Sequence, residues 1–229
     1  MGKGKLIVIE GTDGSGKGTQ LALLVNYFKS KHTPYATLDF PQYYKTFFGR
    51  WLGRFLKGEF GSLEGIPPYL FLFPFAADRW QEKKEMERWL DEGRIVLINR
   101  YTASNAAYQA AKLPKTERRN LIDWSFKMEY EAFGIPKEDL VLFLYVPFAA
   151  SQKLIEAKGN RKYLGNGIKK DIHESNEKLM RDVETVYLDF CSRFPHWVKI
   201  DCTEKGQILP KEVIHQKILE ALKKRKIIS

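Results

Sequence analysis

Cysteine is nearly absent. Cys191 and Cys202 are the only two among 229 residues, and their separation matches neither a metal-ligand nor a redox spacing. That excludes a disulfide-built scaffold and points to a reducing compartment. The sequence also lacks any run of 18 apolar residues and any secretory segment, and Leu6 stands where an N-myristoylation signal requires Ser or Thr. A soluble, cytoplasmic protein with no membrane partner is therefore expected. Internal repeats and low-complexity linkers are missing too, so 1–229 is expected to form one domain around one substantial core. Acidic residues are in deficit: 38 Lys and Arg face 28 Asp and Glu, a net charge of +10. Nucleotides, nucleic acids and acidic membranes all suit that charge, so the charge alone does not choose among them. Part of it lies in Lys223-Lys224-Arg225-Lys226, where a solvated helix end that complements the helix dipole is expected in preference to a nucleic-acid arm.

What the sequence does contain is a glycine-rich loop. Gly11-Thr12-Asp13-Gly14-Ser15-Gly16-Lys17-Gly18-Thr19 follows the apolar Leu6-Ile7-Val8-Ile9 and precedes a helical pattern. The order strand, loop, helix is what separates a phosphate-binding loop from an ordinary glycine-rich turn. Glycines let the chain wrap an anion with its N–H groups, and Lys17 adds a positive charge at the helix N-terminus. A ligand with two or three phosphates is expected here. Gly18 occupies the position that commonly carries the Mg²⁺-touching Ser or Thr, and Thr19 follows one place later as a candidate metal-side hydroxyl. This spelling favours small-molecule phosphotransfer over a switch GTPase.

Apolar, β-branched runs at 5–10, 35–40, 94–99, 140–146 and 197–201 alternate with helical patterns at 19–30, 47–57, 78–92, 115–133, 149–156, 172–193 and 211–224. Such alternation predicts an α/β fold, a doubly wound parallel sheet of five strands covered on both faces. Ligands bind beyond the carboxyl ends of such strands. The phosphate loop, Phe40-Pro41-Gln42-Tyr43 and Asn99-Arg100-Tyr101 all fall there, which directs three strand ends at one site.

A second surface is legible in Phe71-Leu72-Phe73-Pro74-Phe75-Ala76-Ala77-Asp78-Arg79-Trp80. Phe71 and Phe73 read as core, whereas Phe75 with Arg79 suits a flat heterocycle that stacks on a ring and accepts from a guanidinium. In Arg100–Gln109 a helix would bring Ser104, Asn105 and Tyr108 onto one wall.

Together the glycine loop with its acid, Phe-Pro-x-Tyr at 40–43, Phe-x-x-x-Arg at 75–79 and Arg-Tyr-x-x-Ser-Asn-Ala-Ala-Tyr at 100–108 resemble the thymidylate kinase family, from the N-terminus to about Tyr187. The resemblance implies a P-loop fold with a mobile lid and transfer of the γ-phosphoryl of ATP to dTMP with Mg²⁺. It implies that Gly11, Asp13, Gly14, Ser15, Gly16, Lys17, Gly18 and Thr19 surround ATP. Asp13 would accept from the acceptor's 3′-hydroxyl, or else merely cap the loop. Tyr43 would border the sugar and acceptor phosphate, Phe75 would stack on thymine, Arg79 would reach a base carbonyl and Asn105 would pair with the base edge, with Phe40 and Ser104 also on the dTMP side. Tyr108 would disfavour ribonucleotides at the 2′ position. Arg100 would bridge donor and acceptor phosphates, with a structural ion pair as its alternative. Arg161, backed by Lys158 and Lys162, would stabilise the transferring phosphoryl from a basic lid at about 157–171, a segment that otherwise reads as a solvated loop. A homodimer is implied, for which the helices at 78–92 and 115–133 offer apolar faces.

Three positions depart from the family pattern. Asn99 stands where an Asp usually precedes the arginine, Gln42 where an arginine often grips the acceptor phosphate, and Gly18 after the lysine. Lys45 or Arg50 would be the substitutes for Gln42. These departures keep two alternatives beside dTMP kinase: a kinase of another pyrimidine monophosphate such as dUMP, and a nucleotide-binding protein with impaired transfer.

Overall fold

The computed structural model describes residues 3–61, 65–151 and 177–228. The expected lid at 157–171, with Lys158, Arg161 and Lys162, lies outside the described residues. So do most of the helix expected at 149–156 and the start of the one expected at 172–193.

Five parallel strands, β1 (Lys5–Glu10), β2 (Tyr35–Asp39), β3 (Ile95–Asn99), β4 (Leu140–Tyr145) and β5 (Trp197–Asp201), form one sheet in the order β2-β3-β1-β4-β5. The expected five-stranded α/β sheet is thus the observed one. In β1 the period of two assigns side chains to opposite layers. Leu6 and Val8 join the core beneath one set of helices, while Ile7 and Ile9 join the core beneath the other. The first layer holds α5 (Thr102–Ala110), α6 (Lys115–Lys127) and α7 (Glu177–Arg193); the second holds α1 (Lys17–Ser30) and α8 (Lys211–Lys224). A small antiparallel hairpin, Thr203–Glu204 with Gln207–Ile208, lies between β5 and α8 and was not expected.

Two helical boundaries differ from expectation. The aromatic run belongs to a helix, α3 (Pro68–Gln81), followed by a separate α4 (Lys83–Asp91), in place of one helix at 78–92. Pro68 sits in the first turn, where its missing N–H costs nothing, and Pro74 is accommodated inside the helix. Within α3, Phe71 is buried as expected. Phe73 is not: it is 47% exposed, beside Trp124 and Phe133. The helix expected at 115–133 becomes α6 followed by one wider, π-type turn at Met128–Ala132. That turn carries Glu129, which the sequence did not single out.

Candidate active site

The glycine loop joins β1 to α1 as expected. Gly11 at φ +155 lies against the Leu144 carbonyl, and a Cβ there would come within 2.5 Å of Ser15 Oγ. Gly16 takes the left-handed conformation at φ +87 that opens the helix. Lys17 is buried and donates to the carbonyls of Gly11 at 3.0 Å and Thr12 at 2.8 Å, so its ammonium is drawn into the loop. Ser15 Oγ is buried and has no partner among the described residues.

The loop stands between two clefts. One, of about 780 Å³ with its open mouth included, is lined by Gly14, Ser15, Gly16, Thr19 and Gln20 with Val146, Leu209 and Ile214. Thr19 is exposed on that side, and Gly18 has room for a Cβ with nothing within 4 Å. The other cleft, of about 570 Å³ on the same measure, gathers Asp13, Phe40, Tyr43, Phe75, Arg79, Arg100, Ser104, Asn105 and Tyr108. Every residue assigned to the acceptor side thus borders one cavity. Lys45 and Arg50 do not: Lys45 pairs with Glu82 at 2.7 Å, and Arg50 donates to the Lys45 carbonyl at 2.8 Å.

Arg100 pairs with Asp13, which also accepts from Tyr108 Oη at 2.7 Å. The ion-pair alternative for Arg100 is therefore realised in this structure, and within the cleft. Burial works against the Arg100 charge, but Asp13, Tyr108, Tyr187 and Glu10 together outweigh it and hold the guanidinium well above its ordinary pKa. Burial, reinforced by the Asp13 charge, raises the Tyr108 phenol well above its usual range. Arg100 adopts φ +62, left-handed and uncommon for a non-glycine residue. Bonds on either side fix this turn: Arg100 N donates to the Ile9 carbonyl at 3.1 Å, and Tyr101 N to Glu10 Oε1 at 2.8 Å.

Glu10 was not foreseen as a site residue. Fully buried at the end of β1, it also accepts from Ser104 N at 3.2 Å, Ser104 Oγ at 2.6 Å and Tyr187 Oη at 2.9 Å. It caps the first turn of α5 from another strand, a carboxylate against the positive helix end. The Ser104 hydroxyl is consequently engaged by Glu10 and Tyr187, a different use from the expected base contact. A lone carboxylate ending an apolar strand was the available signal.

Glu129 is the other unforeseen carboxylate. It accepts from Arg79 Nε at 3.0 Å and from Arg79 Nη2, and receives Asn105 Nδ2 at 3.3 Å. Burial opposes the Arg79 charge, and the charge and hydrogen bonds of Glu129 outweigh that effect and raise its pKa. Arg79 is thus chiefly half of a buried ion pair, with only Nη1 making no hydrogen bond among the described residues. Asn105 gives its amide N–H also to the Leu72 carbonyl at 3.0 Å, and its buried Oδ1 has no partner among the described residues. Reversing that amide would set its oxygen against the Glu129 carboxylate, so the orientation is imposed. Phe75 packs edge-on to Phe71 at 5.2 Å and borders the cleft.

The sheet, the glycine loop at the end of its central strand and the loop lysine define a P-loop phosphotransferase fold. A solved thymidylate kinase from Candida albicans shares this fold with a TM-score of 0.76 and 23% identity, covering 98% of this chain and 93% of that one. The thymidylate kinase family model matches residues 9–226. The thymidylate kinase of Plasmodium falciparum is 32% identical over 225 residues, covering 98% of this chain and 92% of its own length. That of Mycobacterium tuberculosis strain H37Rv is 30% identical over 188 residues, covering 82% and 86%. The chain belongs to the thymidylate kinase family.

Proposed function

We propose that the protein transfers the γ-phosphoryl group of ATP to dTMP, giving ADP and dTDP. The observation that carries this reading is the single cleft in which the loop carboxylate Asp13, Arg100 and the Phe75–Asn105 wall meet. Phosphoryl transfer needs positioning and charge neutralisation, with no nucleophilic side chain. Lys17 and the loop amides would leave their internal bonds for the ATP phosphates. Arg100 would exchange part of its hold on Asp13 for the phosphates, freeing that carboxylate to accept from the sugar 3′-hydroxyl. Tyr108 would pack against the sugar at the 2′ carbon. Phe75 would stack on the base, Asn105 would offer Oδ1 to a ring N–H, and Arg79 would offer Nη1 to a ring carbonyl. An imide N–H and a neighbouring carbonyl are features of thymine and uracil, and family membership favours dTMP over dUMP. The basic residues Arg161, Lys158 and Lys162 are assigned to the donor phosphates.

Mg²⁺ fits the chemistry present. Mg²⁺ keeps several waters and takes few protein oxygens beside phosphate oxygens, and the exposed Thr19 hydroxyl beside the loop is a donor of that kind. Thr19 is the candidate side chain, and bound Mg²⁺ would neutralise phosphate charge. Tyr69, Leu70, Phe73, Trp80 and Trp124 form exposed apolar surface on α3 and α6, which supports a homodimer joined through these helices. No described helix is long and apolar enough to cross a membrane. The unbridged Cys191 and Cys202 support a reducing, cytoplasmic setting. The continuous five-stranded sheet supports one domain.

Purified protein with Mg-ATP and a panel of nucleoside monophosphates, read as ADP release, tests the reading. dTMP is expected to give the highest kcat/KM; ATP binding without acceptor-dependent ADP would refute transfer.

A further inference from the structure

β2 and β3 end side by side, with Asp39 opposite Asn99 in the register. Asn99 Nδ2 donates to Asp39 Oδ1 at 2.8 Å, and its own buried Oδ1 has no partner among the described residues. Turning the amide over would bring oxygen against oxygen, so the amide serves the carboxylate at the expense of its carbonyl. The second Asp39 oxygen makes no hydrogen bond or ion pair among the described residues, and the residue is open to solvent. Burial raises the Asp39 carboxyl above its ordinary pKa, and the positive charges of Arg100 and Lys17 act against that rise. Asp39 therefore ends its strand as an oriented, half-used carboxylate beside the two cations assigned to phosphate.

A carboxylate in that position repels phosphate oxygens and gains nothing from the nucleotides themselves. It becomes favourable when a hydrated dication stands between, because metal-bound waters are strong donors and carboxylates that accept from them orient the shell. Asn99 cannot play that part with its buried carbonyl. We infer that Asp39, held in place by Asn99, accepts from the water shell of the Mg²⁺ that accompanies ATP, so that the metal-ordering carboxylate of this chain is carried by β2 and not by β3. Asn99 is then the positioning residue. The inference rests on the phosphotransferase reading above, and it asks only for nucleotide and metal binding, not turnover.

The probe is Mn²⁺, followed by electron paramagnetic resonance in the full-length protein with a non-hydrolysable ATP analogue and dTMP. Asp39→Asn keeps the side chain's shape and removes its charge. Mn²⁺ affinity in that complex is expected to fall by about tenfold or more, with dTMP affinity and Tm close to wild type. The double variant Asp39→Asn with Asn99→Asp exchanges carboxylate and amide and is expected to recover most of the loss. Wild-type Mn²⁺ affinity in Asp39→Asn, or a loss of affinity that follows a lowered Tm and is not recovered by the exchange, would overturn the inference. Wild-type protein that binds Mn²⁺ with the analogue yet phosphorylates no monophosphate would refute the functional reading and leave the Asp39 comparison decisive on its own terms.

Discussion

Replacing Glu129 with Gln tests whether the cleft wall is built on a buried charge. The Arg79 and Glu129 side chains are 3% and 0% exposed, and Glu129 takes two hydrogen bonds from the guanidinium and a third from Asn105. Gln offers one acceptor oxygen, so its NH₂ must face an Arg79 or Asn105 donor, and the guanidinium is left as an uncompensated buried cation. Breaking a buried pair in this way costs about 3–5 kcal/mol. At roughly 2–4 °C per kcal/mol for a chain of this size, Tm should fall by about 6–20 °C in a thermal melt followed by tryptophan fluorescence. Function should change in a particular direction, because Asn105 loses the partner that imposes its amide orientation: KM for dTMP rises more than kcat falls. The double variant Arg79→Met with Glu129→Leu removes both charges and should be more stable than the sum of the single losses implies. A Tm within about 2 °C of wild type in Glu129→Gln, or strict additivity in the double variant, would refute the reasoning.

Tyr108→Ala should reduce the preference for deoxy- over ribonucleotide acceptors by roughly tenfold, the scale of a small steric discrimination; an unchanged ratio of kcat/KM values removes Tyr108 from that role. Lys112 gives a pH prediction. Burial lowers its pKa from 10.5 to about 8, with the ammonium over the Phe71 ring and one hydrogen bond to Gln109. Between those values the unfolded chain binds more protons, so the Lys112 contribution to stability rises with pH across that window. Removing it in Lys112→Met should lower the pH slope of urea-unfolding free energy in that window by up to about 1.4 kcal/mol per pH unit; identical slopes would contradict the assignment. Asn99→Asp would set two carboxylates side by side at the 2.8 Å contact with Asp39, and turnover should fall, whereas a gain would show that the β3 position lacks a charge it needs.

The sequence carried the glycine loop and the five strands because backbone demands leave local marks: glycines at positive φ and β-branched runs of strand length. Helix α3 was hidden because Pro74 and a dense aromatic run obscure its periodicity, and its tolerance of both depends on packing against α5 and α2 (Phe47–Leu56). Phe73 was read as core because apolar runs usually are, yet it faces outward with Trp124. Glu10, Glu129 and Asp39 belong to no motif. Their meaning comes from partners 91, 50 and 60 residues away in sequence, Tyr101, Arg79 and Asn99, and only the fold brings those together. The same applies to Arg79 and Ser104, whose presence in the cleft was legible and whose hydrogen bonds were not.

The central claim is that this chain moves the γ-phosphoryl group of ATP onto dTMP. Incubation with Mg-ATP carrying radioactive phosphorus at the γ position, followed by chromatographic separation of nucleotides, reads that event directly. Label should appear in dTDP in proportion to dTMP supplied and disappear in Lys17→Ala. Label confined to ATP and inorganic phosphate, with dTMP present and the protein folded, would contradict it.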